Sequence, residues 1–181
     1  MKIVKKIGLA LLAVVIVIAS YLVYGTFINP KSPRDTVSIT QEDLILEIDY
    51  SRPFKKDRLI FGAAADGALV PYGEYWRLGA NFATTFETNK EISFAGRPLA
   101  AGKYRVYAVA EADHWVISLN SVFGSFGYTE PDYEKDIMSV NIASAQLLTA
   151  VEQFTIDFVE GDDSLSLRFR WDTTSVSLPI N

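Results

Sequence analysis

Between Lys6 and Lys31 the chain carries no charge, and the first part of that interval, Ile7 to Tyr24 (IGLALLAVVIVIASYLVY), is almost wholly apolar. A run this uniform has no polar face to turn toward water. At about 1.5 Å per residue, roughly 20 helical residues match the roughly 30 Å hydrocarbon core of a bilayer. The segment is therefore expected to enter a membrane as a helix. Lys2, Lys5 and Lys6 precede it and no basic residue follows until Lys31, which favours a cytoplasmic N-terminus and a translocated remainder. Tyr21 and Tyr24 suit the far interface. A cleaved signal peptide is the competing reading, but its apolar region usually runs about 7–15 residues and ends in small residues at a fixed spacing. The run here is longer, and Ala19-Ser20-Tyr21-Leu22 lacks that spacing. Residues 1–28 thus read as a single-pass signal anchor, with 29–34 as linker and 35–181 as one domain outside the cytoplasm, periplasmic or at the cell surface. Cleavage would leave the domain in the same compartment.

The 181 residues suffice for one closed core and fall short of two full domains. There is no cysteine, which excludes disulfides, thiolate metal sites, a cysteine nucleophile and a lipidated cysteine anchor. All 22 acidic residues lie beyond the apolar run, against 14 of the 17 basic ones, so the chain beyond residue 30 carries a net charge of −8. That field repels phosphate backbones, and no nucleic acid partner is expected.

Past Pro30 and Pro33 the sequence changes to short alternating runs. In Leu44–Tyr50 (LILEIDY), residues 44, 46, 48 and 50 share one face of an extended strand. Thr36–Ile39, Ala83–Thr88, Glu91–Phe94, Tyr104–Ala110, Trp115–Asn120, Met138–Ile142, Val151–Val159, Leu165–Trp171 and Ser175–Pro179 also read as strands. Ala-Gly-Arg-Pro (95–98), Ala-Gly-Lys (101–103), Glu-Ala-Asp (111–113) and Gly-Asp-Asp (161–163) supply turns between them. One helical turn is expected at Ser144–Leu148. About ten short strands without amphipathic helices predict an all-β fold, a two-sheet β-sandwich or jelly roll, behind one N-terminal transmembrane helix.

Several segments together form a recognisable set: Ser-Pro-Arg (32–34), Tyr-Ser-Arg-Pro (50–53), Lys-Asp-Arg-Leu-Ile-Phe-Gly (56–62), the stretch 69–85 with Trp-Arg-Leu-Gly-Ala-Asn-Phe-Ala-Thr at 76–84, Leu-Ala-Ala-Gly-Lys-Tyr (99–104) and Val-Glu-Gln-Phe-Thr (151–155). This pattern resembles the DUF2911 family of secreted or membrane-associated bacterial proteins, over roughly residues 32–180. The resemblance implies a compact β domain outside the cytoplasm and brings no biochemical activity with it. Ala63–Ala68 is a small departure, an insertion that lengthens a loop.

Few residues carry the signature of a reaction. His114 is the only histidine, so a multi-histidine metal site is excluded, and a surface role is expected for it. Asp132, Glu134 and Asp136 alternate in the manner of Ca²⁺ ligands on an extended loop, but the EF-hand glycine and spacing are missing; a solvated acidic loop is the expectation. Gly124-Ser-Phe-Gly127 does not satisfy Gly-x-Ser-x-Gly. No catalytic residue, metal site or cofactor is assigned.

The more informative constellation is cationic and aromatic. Arg52, Lys55, Lys56 and Arg58 concentrate positive charge in an acidic domain, and Arg77 follows Trp76. A guanidinium offers a planar fork to carboxylate, phosphate or sulfate, and aromatic faces stack on sugar rings. Arg52, Lys56, Arg58, Trp76, Arg77 and Asn81 are therefore the candidate ligand contacts of a membrane-anchored module for a small polar, anionic or glycan ligand. Two alternatives stand beside it. In one, Trp76 is a core aromatic, Arg77 pairs a buried acid, and the domain is a structural or protein-interaction module. In the other it is an envelope hydrolase, which needs two carboxylates about 5–10 Å apart in a cleft.

Overall fold

The structure is a computed structural model that describes residues 2–161 and 164–181. The turn expected at 161–163 lies largely outside the described residues. The chain divides into two compact units, Met1–Pro33 and Arg34–Asn181. In the first, α1 (Lys2–Val23) runs into a π turn at Tyr24–Ile28, closed by the Asn29 N–H donating to the Tyr24 carbonyl at 2.9 Å. Lys5–Val23 is long and apolar enough to cross a membrane, and Leu9, Val17 and Leu22 are 60–70% exposed within their own unit.

Among the described residues the second unit has twelve strands: β1 (Arg34–Gln41), β2 (Leu44–Ser51), β3 (Phe61–Gly62), β4 (Val70–Pro71), β5 (Tyr75–Trp76), β6 (Thr84–Thr88), β7 (Ile92–Phe94), β8 (Arg97–Leu99), β9 (Gly102–Ala110), β10 (His114–Asn120), β11 (Asp136–Glu160) and β12 (Leu165–Ile180). Ten of them form one sheet in the order β1-β2-β6-β9-β10-β11-β12-β7-β8, with β5 also paired to β9; β3 and β4 make a separate parallel pair. The ladders of the large sheet are antiparallel throughout.

β11 joins the two layers. Its first part, Asp136–Ala143, pairs with β10, and its remainder, from Ser144, pairs with β12. The sheet thereby folds over onto itself. Across the resulting core, Tyr50 of β2 meets Phe154 of β11 at 5.7 Å, Phe86 of β6 meets Phe94 of β7 at 5.5 Å, and Trp115 of β10 meets Phe169 of β12 at 6.2 Å. Alternation decides which side chains enter: in β2, Leu46, Ile48 and Tyr50 are at most 1% exposed while Ile45 on the other face is 48% exposed. Burial of these large rings is the dominant favourable term in holding the layers together.

Two local expectations differ from what forms. Ser144–Leu148 is extended, because Ser144–Gln146 pair with Thr174–Val176 and the ladder outweighs any weak helical preference of a short Ala/Ser/Leu stretch. The strands expected at 138–142 and 151–159 are one bulged strand, as are those at 165–171 and 175–179. The bulge between Gln146 and Val151 leaves Leu148 fully exposed.

Candidate functional site

In β9 the residues Tyr104, Val106, Ala108 and Ala110 face the core, so Lys103, Arg105, Tyr107 and Val109 point the other way. On a bare sheet that second set would be wet, yet Arg105 is 2% and Tyr107 3% exposed. Their cover is the segment 121–135, which leaves the sheet after Asn120 and rejoins it at Asp136. β5 borders the same face, with Trp76 in the core and Tyr75 against Tyr107, their rings 5.5 Å apart.

The groups under this cover satisfy one another. Arg105 donates to Ser125 Oγ at 3.0 Å, to the Thr129 carbonyl at 2.6 Å and to the Tyr75 hydroxyl, which donates in turn to the Gly127 carbonyl at 2.8 Å. The Tyr107 hydroxyl donates to Asp136 Oδ2, and Asn120 Nδ2 donates to Asp136 Oδ1 and to the Asp132 carbonyl, both at 2.8 Å. Asn120 Oδ1 accepts the Val122 N–H at 2.9 Å. The far side of the segment is seated by Gly127, whose N–H donates to the Asn81 carbonyl at 2.9 Å. A Cβ on Gly127 would stand 2.9 Å from the Phe82 carbonyl oxygen and 3.0 Å from Arg77 Cδ, so only glycine permits this approach. Phe126 packs beside Phe82 with ring centres 4.7 Å apart.

Two concavities open along the segment and share Tyr75 and Glu130. The first, of about 470 Å³, has Leu69, Trp76, Arg77 and Tyr128 on its walls. The second, of about 520 Å³, has Glu74, Val109 and Tyr133. The Arg77 guanidinium lies 5.6 Å from the centre of the Tyr128 ring. Among the described residues no carboxylate pairs with Arg77 or with Arg105, and Arg105 Nε is buried without a partner.

The phenols of Tyr75, Tyr107 and Tyr133 stay protonated at neutral pH. Burial pushes the Tyr75 hydroxyl above its ordinary value, and burial followed by the Asp136 carboxylate does the same for Tyr107. Tyr133 is pushed up to about 12 by burial and by the Glu130 carboxylate that accepts its hydroxyl at 2.6 Å. These groups therefore donate, accept and stack but do not act as bases near pH 7.

Of the six residues singled out in the sequence, Arg77 lines the first concavity and Trp76 forms part of its wall. Trp76 is otherwise a core residue, 7% exposed and within 6.0 Å of Phe61, Trp115, Phe154 and Trp171, ring centre to ring centre. Asn81 contributes its backbone, at φ +59°, to the seat of Gly127. The other three have separate partners. Arg52 pairs with Asp35 at 3.1 Å and donates to the Phe154 carbonyl and Thr155 Oγ1, closing β1 against β11. Arg58 curls onto the carbonyls of Phe54 and Lys55, and Lys56 is exposed, with its backbone N–H held by Glu152 at 3.0 Å.

Arg105, Tyr75, Tyr107, Tyr128 and Glu130 were not singled out. The one signal available for them was the outward set of β9, a positive charge and a tyrosine on a face that binary patterning assigns to solvent. The acidic loop uses its carboxylates internally, since Asp132 Oδ1 accepts the Glu134 N–H at 3.1 Å and Asp136 is held as above. Among the described residues no three His, Asp or Glu gather as a metal would require. His114 Nδ1 lies 2.6 Å from the neighbouring Asp113 carboxylate at the β9–β10 turn.

A protein family described as "Protein of unknown function (DUF2911)" matches residues 32–180. No curated protein sequence and no solved structure matches the chain.

Proposed function

The chain belongs to the DUF2911 family, and on that premise we propose that residues 34–181 are a binding module of the cell envelope, held at the membrane by residues 7–28, with a cleft between β5 and the 121–135 segment for a small polar ligand. The ligand class is an acidic one, a carboxylate-bearing sugar or similar anion. One observation carries this reading: among the described residues, two guanidinium groups, Arg77 and Arg105, flank Tyr75 without a carboxylate partner, in a chain whose net charge beyond residue 30 is −8. Buried or half-buried arginine is ordinarily neutralised by an acid of the same protein. Arg77 supplies the planar fork at the wall, Tyr128 and Tyr75 supply faces for stacking, and Arg105 acts through Tyr75 by holding its hydroxyl. The N-terminal lysines orient the helix with the domain outside the cytoplasm.

The test is calorimetric titration of the full chain in detergent with uronic acid oligosaccharides and their neutral counterparts. Binding of the acidic set, lost on Arg77→Ala, supports the reading. Equal binding to Arg77→Ala, or no binding of either set, refutes it. A second reading has one observation in its favour: Glu74 and Glu130 both line the second concavity, the two-carboxylate minimum for glycoside hydrolysis. Product release from the same oligosaccharides, abolished by Glu130→Gln, would select it over simple binding.

A further inference from the structure

Apart from Tyr128, which also lines the first concavity, the outer surface of the 121–135 segment has no part in the cleft and is unusual in its own right. Ser121–Thr129 (SVFGSFGYT) contains no charged residue. Within it Val122 is 50%, Phe123 44%, Phe126 54% and Tyr128 79% exposed. Side chains of this size are rarely grouped in the open on a soluble domain unless something covers them. What covers them is indicated by where the patch sits relative to the chain's own path. Arg34, the first residue of the domain, holds its guanidinium 5.5 Å from the centre of the Phe82 ring, and Phe82 is the ring on which Phe126 packs. The patch thus lies two ring contacts from the point at which the chain enters the domain. The preceding linker, residues 29–33, is a tether of at most about 17 Å fully extended.

We propose that the 121–129 segment is a membrane-docking loop: Val122, Phe123 and Phe126 enter the headgroup–acyl boundary of the bilayer that holds the anchor, with Tyr128 at its polar edge. Aromatic and aliphatic side chains partition into this zone, and tyrosine favours its wet margin. Tethering makes the contact intramolecular in effect, so a few residues suffice where a free domain would need a larger apolar face. Arg77 beside the patch favours anionic headgroups locally, against the acidic balance of the rest of the domain, whereas Arg34 is already paired with Asp49. The docked loop would set the cleft beside the membrane surface. The inference rests on residues 7–28 being retained as an anchor, and the experiment separates the two.

The chain has no cysteine, so single-cysteine variants place a polarity-sensitive fluorophore at will. The full chain is reconstituted at one copy per nanodisc in mixed zwitterionic and anionic phospholipid. Three positions are labelled: Val15→Cys in the apolar helix, Val122→Cys in the loop, and Ala112→Cys in the exposed turn at the opposite end of β10. A blue-shifted Val122 label, quenched several-fold more by lipid-borne quencher than the Ala112 label, is expected. Phe123→Asp should return the Val122 label to the Ala112 value while the Val15 label stays quenched. A Val122 label as wet as Ala112, with Val15 buried, overturns the docking loop and leaves the anchor standing. An unquenched Val15 label overturns the anchor itself. A Val122 label buried only at two copies per disc overturns the membrane as occupant and assigns the patch to self-association.

Discussion

Replacing Gly79 with alanine tests how the chain passes from β5 to β6, the bend that puts Trp76 in the core and Arg77 in the cleft. Gly79 has φ +145°, and a Cβ there would stand 2.7 Å from the carbonyl oxygen of Ser51. The obstruction is backbone in a buried strand, so neither side yields cheaply. Backbone strain in a glycine-only region costs about 1–3 kcal/mol, and forced overpacking adds about 1–3 kcal/mol, for a loss of roughly 4 kcal/mol. Gly96, in the β7–β8 turn, has φ +79° and nothing within 4 Å of its Cβ position, so Gly96→Ala carries only the left-handed penalty of about 1–2 kcal/mol. With a urea m-value of about 2 kcal/mol/M for a domain of this size, the unfolding midpoint should fall by about 2 M for Gly79→Ala and by under about 1 M for Gly96→Ala. Urea titration followed by tryptophan fluorescence reads both. Equal shifts would refute the argument, because the Ser51 contact would then contribute nothing beyond φ.

Trp76→Ala should cost about 3–5 kcal/mol, lowering Tm by roughly 10–15 °C at about 2–4 °C per kcal/mol. Arg77→Ala, which removes one cation–π contact of about 0.5–1 kcal/mol, should move Tm by only about 1–4 °C; similar losses for the two would return Arg77 to a folding role. Gly127→Ala should unseat the 121–135 segment without unfolding the sandwich, seen as faster proteolysis within 121–135 at nearly unchanged far-UV circular dichroism. The raised phenols of partly buried Tyr75, buried Tyr107 and half-exposed Tyr133 make stability alkali-sensitive. Their folded pKa values lie above the unfolded value of about 10, so the unfolded state releases protons first and stability falls as pH rises above 10 toward and past the folded value, about 12 for Tyr133. Absorbance at the phenolate band should show part of the nine tyrosines ionising only with unfolding; a full titration of all of them in the native state near pH 10 would contradict it.

The strands were legible where alternation met burial on one face. Leu44–Tyr50 and Tyr104–Ala110 lie where their period-2 pattern puts them, because one face of each packs on the core. The two-residue strands β3, β4 and β5 carry no period and depend on partners remote in sequence, Tyr75 and Trp76 on Val109 and Ala108 for instance. Of the residues chosen from the sequence, only Trp76, Arg77 and Asn81 lie in or beside the candidate cleft, because they stand together in one segment. Arg105 and Tyr107 occupy outward positions that alternation assigns to water. They are buried because a segment with only an isolated bridge at Phe126 and one 3-10 turn at Tyr133–Lys135 folds back over them, and no local pattern in 121–135 announces where it will lie. Arg52, Lys56 and Arg58 are neighbours in sequence but are turned to different partners by the bend at 52–58, where Lys56 and Asp57 take φ of +49° and +58°.

The strand β11 belongs to both layers, and this bears on how the domain comes apart. A sandwich of two separate sheets has a seam along which one layer can loosen while the other persists. Here the ladder to β10 and the ladder to β12 are consecutive parts of one chain segment, so fraying of either withdraws hydrogen-bond partners from the other. Heat should therefore melt residues 34–181 in a single all-or-none transition, with calorimetric and van't Hoff enthalpies in agreement. In hydrogen exchange the amides of β9, β10, β11 and β12 should share one slow class. The amides of 121–135, held by side chains and a few turns, should open far more often. The cleft would then have one wall that moves with the whole domain and one that breathes independently of it.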